Sequence, residues 1–342
     1  MQLTKVTKIL LPLFIGAMST AALGQVAEPP SGPLGVDVIN AADLSAISSA
    51  YQPIQRDAAQ PAVPLSPDPA IVRLQVLLDR AGASPGVIDG YDGDNVRKAV
   101  FAFEQMAGLP ADGLLDPDLI ALLGAEPVVG HYTILADDAE GITGPVPEDY
   151  AEKAQLTYLG YADMAEKLAE RFHMDVDLLR ALNPGASFAV GEDIVVAAPG
   201  LPREGSVARI VADKQMRQVR AYDASDRLLA AYPATIGSDQ NPSPSGIHLV
   251  AAVAPMPDYT YNPAINFQQG INTEVLVIPP GPNGPVGSMW IDLTEPTFGI
   301  HGTPEPELID KTGSHGCVRL TNWDAEELAA MVTEGVPVEF TG

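Results

Sequence analysis

At 342 residues, 46% of them apolar, the chain is too long for one ordinary core and too apolar for wholesale disorder. A formal charge of −25 makes nucleic acid and anionic membrane surfaces poor partners. The 32 prolines and 31 glycines favour loops and linkers over long helices, so two or three small units are expected.

Residues 1–24 read as a signal peptide. Lys5 and Lys8 form a basic start, residues 9–18 an apolar run, and Ala22-Leu23-Gly24 before Gln25 a cleavage site. The competing reading, a retained anchor, fails on length: the apolar run, interrupted by Pro12, is far shorter than the roughly 20 residues a span needs. Export to the periplasm or cell envelope is therefore expected, with no transmembrane span after cleavage. Residues 25–66, rich in Pro, Ala and Ser and without periodicity, read as a flexible linker.

A small helical unit is predicted over 67–125. Asp68-Pro69 is an N-cap with proline at the first helical position, and Ile71, Leu74, Leu77 and Leu78 make one apolar face. A second helix carries Val96, Val100 and Phe103; a third runs from Asp116-Pro117 to Gly124. With Leu74-Gln75, the Gly86-Val87-Ile88-Asp89-Gly90 turn and Gly108-Leu109 before Asp112-Gly113, this pattern resembles the peptidoglycan-binding domain family. The family's usual Phe-Gln pair stands here as Phe103-Glu104. The bland alternative is a helical spacer with no ligand.

Residues 126–150 read as a second linker, and 151–200 as another module. A short strand is predicted over 155–159, then helices capped by Asp163 and Asp175, the Leu182-Asn183-Pro184-Gly185 turn, and a strand over 194–197. This βααβ order resembles a LysM glycan-binding domain, although Tyr161-Ala162-Asp163 replaces the family's Gly-Asp-Thr opening. It too could serve as a spacer. From Ser206 the pattern turns to short β-branched or alternating runs (208–213, 218–223, 227–231, 247–253) separated by Gly, Pro, Asp and Ser. An all-β unit over 206–341 is expected, with one helix over 323–332.

The chemistry-bearing stretch is His301-Gly302-Thr303 followed by Ser314-His315-Gly316-Cys317-Val318-Arg319. Cys317 is the only cysteine, so in an oxidising compartment it has no partner within the chain. By itself this leaves it open between a buried apolar residue and a nucleophile. Gly316 lets the backbone turn tightly and leaves the sulfur open, and N–H groups around Gly316 and Cys317 could converge on an oxyanion. A thiol needs a base to ionise at neutral pH. His315, two residues away and on the same face if the segment is a strand, competes with His301 for that role. A metal site is disfavoured, because the nearby acids are scattered and a closed site needs about four ligands. His131, His173 and His248 read as structural.

These motifs, with 242–246 and the Pro279-Pro280-Gly281-Pro282-Asn283 loop, are similar to the L,D-transpeptidase catalytic domain family over roughly residues 206–340. The resemblance implies a mostly β catalytic domain behind the two small modules, with Cys317 as nucleophile and His301 as base. It implies that a carbonyl near Gly302 orients the imidazole and that Gly316 and His315 shape the oxyanion hole. Arg319, with Ser314 and Thr303, would meet the substrate; the alternative for Arg319 is a pair with an acid such as Asp324. The implied reaction is acyl transfer on a peptidoglycan stem peptide, releasing D-Ala, with no cofactor or metal and with susceptibility to carbapenems. The acceptor is left open between a second stem, an envelope protein and water, the last making a hydrolase. A non-catalytic scaffold that binds wall glycan is the reading of a different class.

Overall fold

The computed structural model describes residues 34–48, 66–238 and 240–342. The segment read as a signal peptide lies outside these residues. Among them, no helix is long and apolar enough to cross a membrane.

The chain enters through two short helices, α1 (Val36–Asn40) and α2 (Ser45–Ser48). This corrects the expectation of a linker throughout 25–66. Ile39 and Leu44 are buried in the first core, and Asn40 accepts from the Val128 and Val129 amides (2.7 and 3.0 Å) and donates to Val129 O (3.0 Å). Leu34, Val36 and Ile47 pack on the same core and Arg73 Nη1 donates to Ala42 O at 2.8 Å; no sustained periodicity announces so short a contact.

The helical unit follows its capping signals. Helix α3 (Pro69–Arg80) starts where Asp68 accepts from Ala70 N at 2.7 Å. Helix α4 (Asp94–Ala107) stops at Gly108, and α5 (Pro117–Leu123) starts at the Asp116 cap, which accepts from Leu119 N at 2.8 Å. Gln75 accepts from the Asp89 and Gly90 amides (3.1 and 2.8 Å), so the 86–90 turn is fastened to α3. Glu104, where the family has Gln, accepts from Gly113 N at 2.8 Å; burial raises its carboxyl to about 7.

The central module departs from the expected boundaries. Residues 155–159 form no strand. The partner of β2 (Asp193–Ala197) is β1 (Val129–Thr133), inside the segment read as a linker, in antiparallel register from Val129↔Ala197 to Thr133↔Asp193. Between β1 and α7 (Met164–Arg171) the chain makes an excursion that includes α6 (Tyr150–Lys153). Helices α7 and α8 (Val176–Leu182) begin at Asp163 and Asp175 as expected, giving a β1-α7-α8-β2 order with α6 inserted.

The remaining residues build a nine-stranded mixed sheet. In chain order its strands are β3 (Arg209–Asp213), β4 (Gln218–Tyr222), β5 (Leu228–Pro233), β6 (Thr235–Ile236) and β7 (Gly246–Pro255). A separate hairpin of β8 (Tyr259–Tyr261) and β9 (Leu276–Ile278) follows. Next come β10 (Met289–Leu293), β11 (Gly299–His301), β12 (Val318–Arg319), helix α9 (Asn322–Met331) and β13 (Pro337–Thr341). The sheet order is β5-β4-β3-β13-β7-β10-β11-β12-β6, with β13/β3 and β11/β12 parallel. The long strand β7 joins its halves, pairing β13 through 246–249 and β10 through 250–255. Ala325, Leu328 and Met331 of α9 are buried with Ile210, Ile291, Ile300 and Val318 in the second core.

The units are cross-bonded rather than strung. Ser84 N donates to Ala231 O and Ala231 N to Gly82 O, both 2.9 Å, which ties the turn after α3 to β5. Asp324 of α9 accepts from Ser84 Oγ at 3.1 Å, so the pairing with Arg319 considered from sequence is not made. His173 stacks on Trp323 (5.2 Å) and bonds Asp79 at 2.9 Å. Asn322 Nδ2 donates to both oxygens of Glu170 on α7 (3.2 and 3.0 Å) and to Pro282 O (3.2 Å). Burial raises the Glu170 carboxyl to about 8, with Asn322 acting the other way.

The folded chain therefore holds the Glu170 proton more tightly than the unfolded chain does. That contribution is complete below the ordinary carboxylate range and is lost as pH climbs from there through about 8. Glu170→Gln keeps the shape without the titration. Its thermal midpoint should fall less than the wild type's with rising pH, leaving it more stable by at least ~1 kcal/mol at about pH 9. Identical pH profiles in a thermal-shift series would mean that the carboxyl is ionised in the fold.

Candidate active site

The site grows out of one strand pair. Strands β11 and β12 run parallel with Ile300 opposite Val318 and His301 opposite Arg319. Side chains alternate along a strand, so His301 and Arg319 share a face. Cys317 is the residue just before β12. Strand β11 is central, bonded to β10 on its other side, whereas β12 is backed only by the two-residue edge strand β6.

His301 is held on three sides. Its ring stacks on Trp290, its register partner in β10, at 5.5 Å and 21°. Its carbonyl accepts from Leu320 N at 2.8 Å. Nδ1 lies 2.7 Å from Gly302 O; since a carbonyl can only accept, Nδ1 carries the hydrogen and Nε2 keeps a lone pair. Burial, reinforced by the Arg319 guanidinium, pushes the imidazole down to about 3, against the pull of the Gly302 carbonyl. The ring is neutral at neutral pH. Burial likewise raises the Cys317 thiol, with the Gly299 amide and Arg319 lowering it. The thiol's hydrogen bond runs to Thr297 O at 3.6 Å. Burial thus favours the thiol form of Cys317 and the neutral form of His301.

The turn into Cys317 is clamped by its own backbone. Ser314 Oγ donates to Cys317 O (2.6 Å), Ser314 N to Gly237 O (3.1 Å), and Gly237 N to Cys317 O (3.4 Å). Gly316 has φ +107°, and a Cβ there would lie 2.6 Å from Phe298 Cε1, so both backbone conformation and space call for glycine. A Cβ at Gly302 would stand 2.1 Å from Asn322 Oδ1. Ser314 and Thr303, expected at the substrate, are both buried. The Ser314 hydroxyl bonds within the loop and Thr303 Oγ1 accepts from Glu305 N at 3.2 Å, which makes them fixtures of the loop's shape.

His315 is placed differently from the strand-based expectation. Strand β12 begins only at Val318, and Gly316 breaks the alternation, so His315 and Cys317 are not neighbours on one strand face. The His315 ring is exposed and stacks on Phe267 at 3.9 Å. Phe267 belongs to an aromatic group that sequence reasoning missed: Tyr150 meets Tyr261 (5.2 Å), Phe267 (6.0 Å) and Tyr259 (6.2 Å) edge-on. Tyr150 comes from α6 of the central module; burial pushes its hydroxyl up to about 12, with Arg319 opposing. No local motif marks these rings, which meet only through tertiary contact. Among the described residues, no group of three or more His, Cys, Asp or Glu side chains could hold a metal ion.

Two family profiles match the chain: the YkuD L,D-transpeptidase catalytic domain over residues 207–340, and a peptidoglycan binding domain over 67–123. A YkuD L,D-transpeptidase of Bacillus licheniformis is 30% identical over 180 residues, covering 52% of this chain and 92% of that protein. Its counterpart in Bacillus subtilis is 28% identical over 186 residues, covering 54% and 97%. A solved L,D-transpeptidase from Mycobacterium smegmatis is similar at 20% identity and a TM-score of 0.32, over 40% of this chain and 60% of that one. The chain belongs to the L,D-transpeptidase family. It is an enzyme with a mostly β catalytic domain behind a helical peptidoglycan-binding domain, and peptidoglycan is its partner.

The fit of Gly302 against Asn322 can be tested by stability alone. Gly302→Ala should lower the unfolding free energy by about 1–3 kcal/mol, the cost of overpacking. Gly130→Ala on β1, where an added methyl meets nothing within 4 Å, is the control and should stay within about 0.5 kcal/mol. Equal urea midpoints for the two variants would refute the close approach.

Proposed function

We propose that the chain is exported to the periplasm and transfers peptidoglycan stem peptides through a thioester on Cys317. The Sγ–H gives its proton to His301 Nε2 as sulfur attacks the amide carbon before the terminal D-Ala. The oxyanion that develops is met by N–H groups around Gly316 and Cys317, beside His315. When the C–N bond breaks, His301 returns the proton to the D-Ala amine. An amine of a second stem then attacks the thioester, loses its proton through His301, and leaves the thiol restored. Arg319, on the same face as His301, supplies positive charge for a substrate carboxylate. Gly302 O fixes the imidazole's tautomer in place of an acidic third residue.

The observation that carries this reading is the His301 Nδ1–Gly302 O bond of 2.7 Å, which leaves Nε2 free on the strand beside the cysteine. A base held neutral, opposite a guanidinium that favours thiolate, can take a proton as attack proceeds. An envelope protein or water could take the acceptor's place, giving protein attachment or hydrolysis. Which acceptor is used would be read from the masses of muropeptides released or formed on purified sacculi.

The test is a trapped acyl-enzyme. Incubation with a carbapenem should give one covalent adduct, mapped by peptide mass to Cys317 and absent in Cys317→Ala. His301→Ala should slow its formation by about 10²- to 10⁴-fold, while His315→Ala retains a measurable fraction. With the imidazole pushed down to about 3, the rate should stay level as pH falls through the ordinary histidine range and drop only in stronger acid. A folded, reduced wild type that takes no label would leave the wall-binding scaffold as the better reading.

A further inference from the structure

The loop that carries the chain from His301 round to Cys317 is fastened near its midpoint by a residue from another unit. Lys98, on α4 of the peptidoglycan-binding domain, forms an ion pair with Asp310; the two side chains are only 4% and 5% exposed. Asp310 is also met by Arg217 Nε at 2.6 Å, and its carbonyl accepts from Arg217 Nη1 at 3.0 Å. It adopts φ +67°, a left-handed conformation uncommon outside glycine, so its surroundings hold it there.

From Asp310 the fastening runs directly to the strand behind the nucleophile. Asp310 N donates to Thr235 Oγ1 at 2.9 Å. Thr235 belongs to β6, the two-residue edge strand, and is the register partner of Arg319. The next residues of that edge, Gly237 N and O, hold the Cys317 and Ser314 backbones. An edge of two residues has little pairing energy of its own and depends on such side anchors. Beside the pair, a cavity of about 480 Å³ lies between the 85–97 segment and residues 306–311. Around this cavity α4 reaches the catalytic domain through Lys98 to Asp310, Gln218 Nε2 to Lys98 O (3.3 Å) and Asn95 Nδ2 to Ile309 O (3.4 Å), apart from the Ser84 contacts with β5 and α9.

We infer that Lys98 is a positioning residue for the transpeptidase site: by pinning Asp310 it fixes edge strand β6, and with it the backbone that presents Cys317. The peptidoglycan-binding domain then acts on catalysis itself, besides any part in holding the wall. A buried amine and carboxylate are costly to desolvate, so a pair of neutral residues could fill this site for stability alone. The inference assigns the pair a geometric role in addition. It rests on Cys317 being the nucleophile.

The test uses the full-length chain and the rate of carbapenem adduct formation on Cys317. Lys98→Met leaves Asp310 buried without its amine, so it should lower the thermal midpoint and the rate together. The double variant Lys98→Met/Asp310→Asn removes both charges and should recover most of the midpoint. Measured well below both midpoints, its adduct rate should still be slower by on the order of 10-fold, part of the roughly 10²-fold that a 1 Å misplacement of a reacting group can cost. The alkylation of Cys317 by iodoacetamide should shift in pH profile with it, which a loss of stability alone would not cause. A double variant with wild-type rate and profile would overturn the inference while leaving the nucleophile assignment intact. A wild type that takes no adduct fails one step earlier and overturns both.

Discussion

The parallel pairing of β11 with β12 is the constraint on which the rest of the site depends. Parallel neighbours cannot be joined by a tight turn and need a crossover of a dozen or more residues. Here residues 302–317 make that connection, and its two ends are the imidazole and the thiol. The register between the strands sets how far apart those groups lie. Everything packed on the connection serves to keep that register: Asn322 against Gly302, Ser314 and Gly237 against Cys317 O, and Asp310 against Thr235.

A second consequence concerns charge. In the proposed site, Cys317 and His301 are both drawn toward their neutral forms by burial, and Arg319 acts on each in the direction its sign dictates. It lowers the imidazole and lowers the thiol. The first effect keeps the ring neutral while weakening it as a proton acceptor, and the second favours the thiolate that the proposed attack requires. One guanidinium in register with the histidine therefore biases both groups, in opposite senses for the proposed proton transfer. Gly302 O does the orienting that an acid would otherwise do, without adding a negative charge that would raise the thiol.

The joints between units are made of buried polar groups rather than grease alone. Asn322 links α9 to α7 and to the 279–283 loop, Ser84 links the helical domain to α9, and Lys98 links it to Asp310. Such groups contribute little net stability when satisfied and cost much when one member is removed. They specify a single docked arrangement. That is why the central excursion, carrying α6, can lay Tyr150 against Tyr259, Tyr261 and Phe267 beside the site.

Sequence alone determined what short-range chemistry writes locally. The caps at Asp68, Asp116, Asp163 and Asp175 start their helices because a side chain and an amide two or three residues on settle the matter between them. The positions of four β runs (β3, β4, β5 and β7), and the glycines beside the histidine and the cysteine, were legible for the same reason. Tertiary structure decided what distant residues choose among equivalents. Strand β2 took a partner more than sixty residues upstream instead of the nearer 155–159 segment, because strand pairing carries no mark of its mate. The residues at 34–48, read as linker, docked through Ile39 and Leu44 with Leu34, Val36 and Ile47 packed beside them. His315 left the strand face because Gly316 adopts a conformation that only the packed loop, pressed against Phe298, imposes. The burial of Lys98 beside Asp310 likewise depends on a residue more than two hundred positions away, which no local pattern marks.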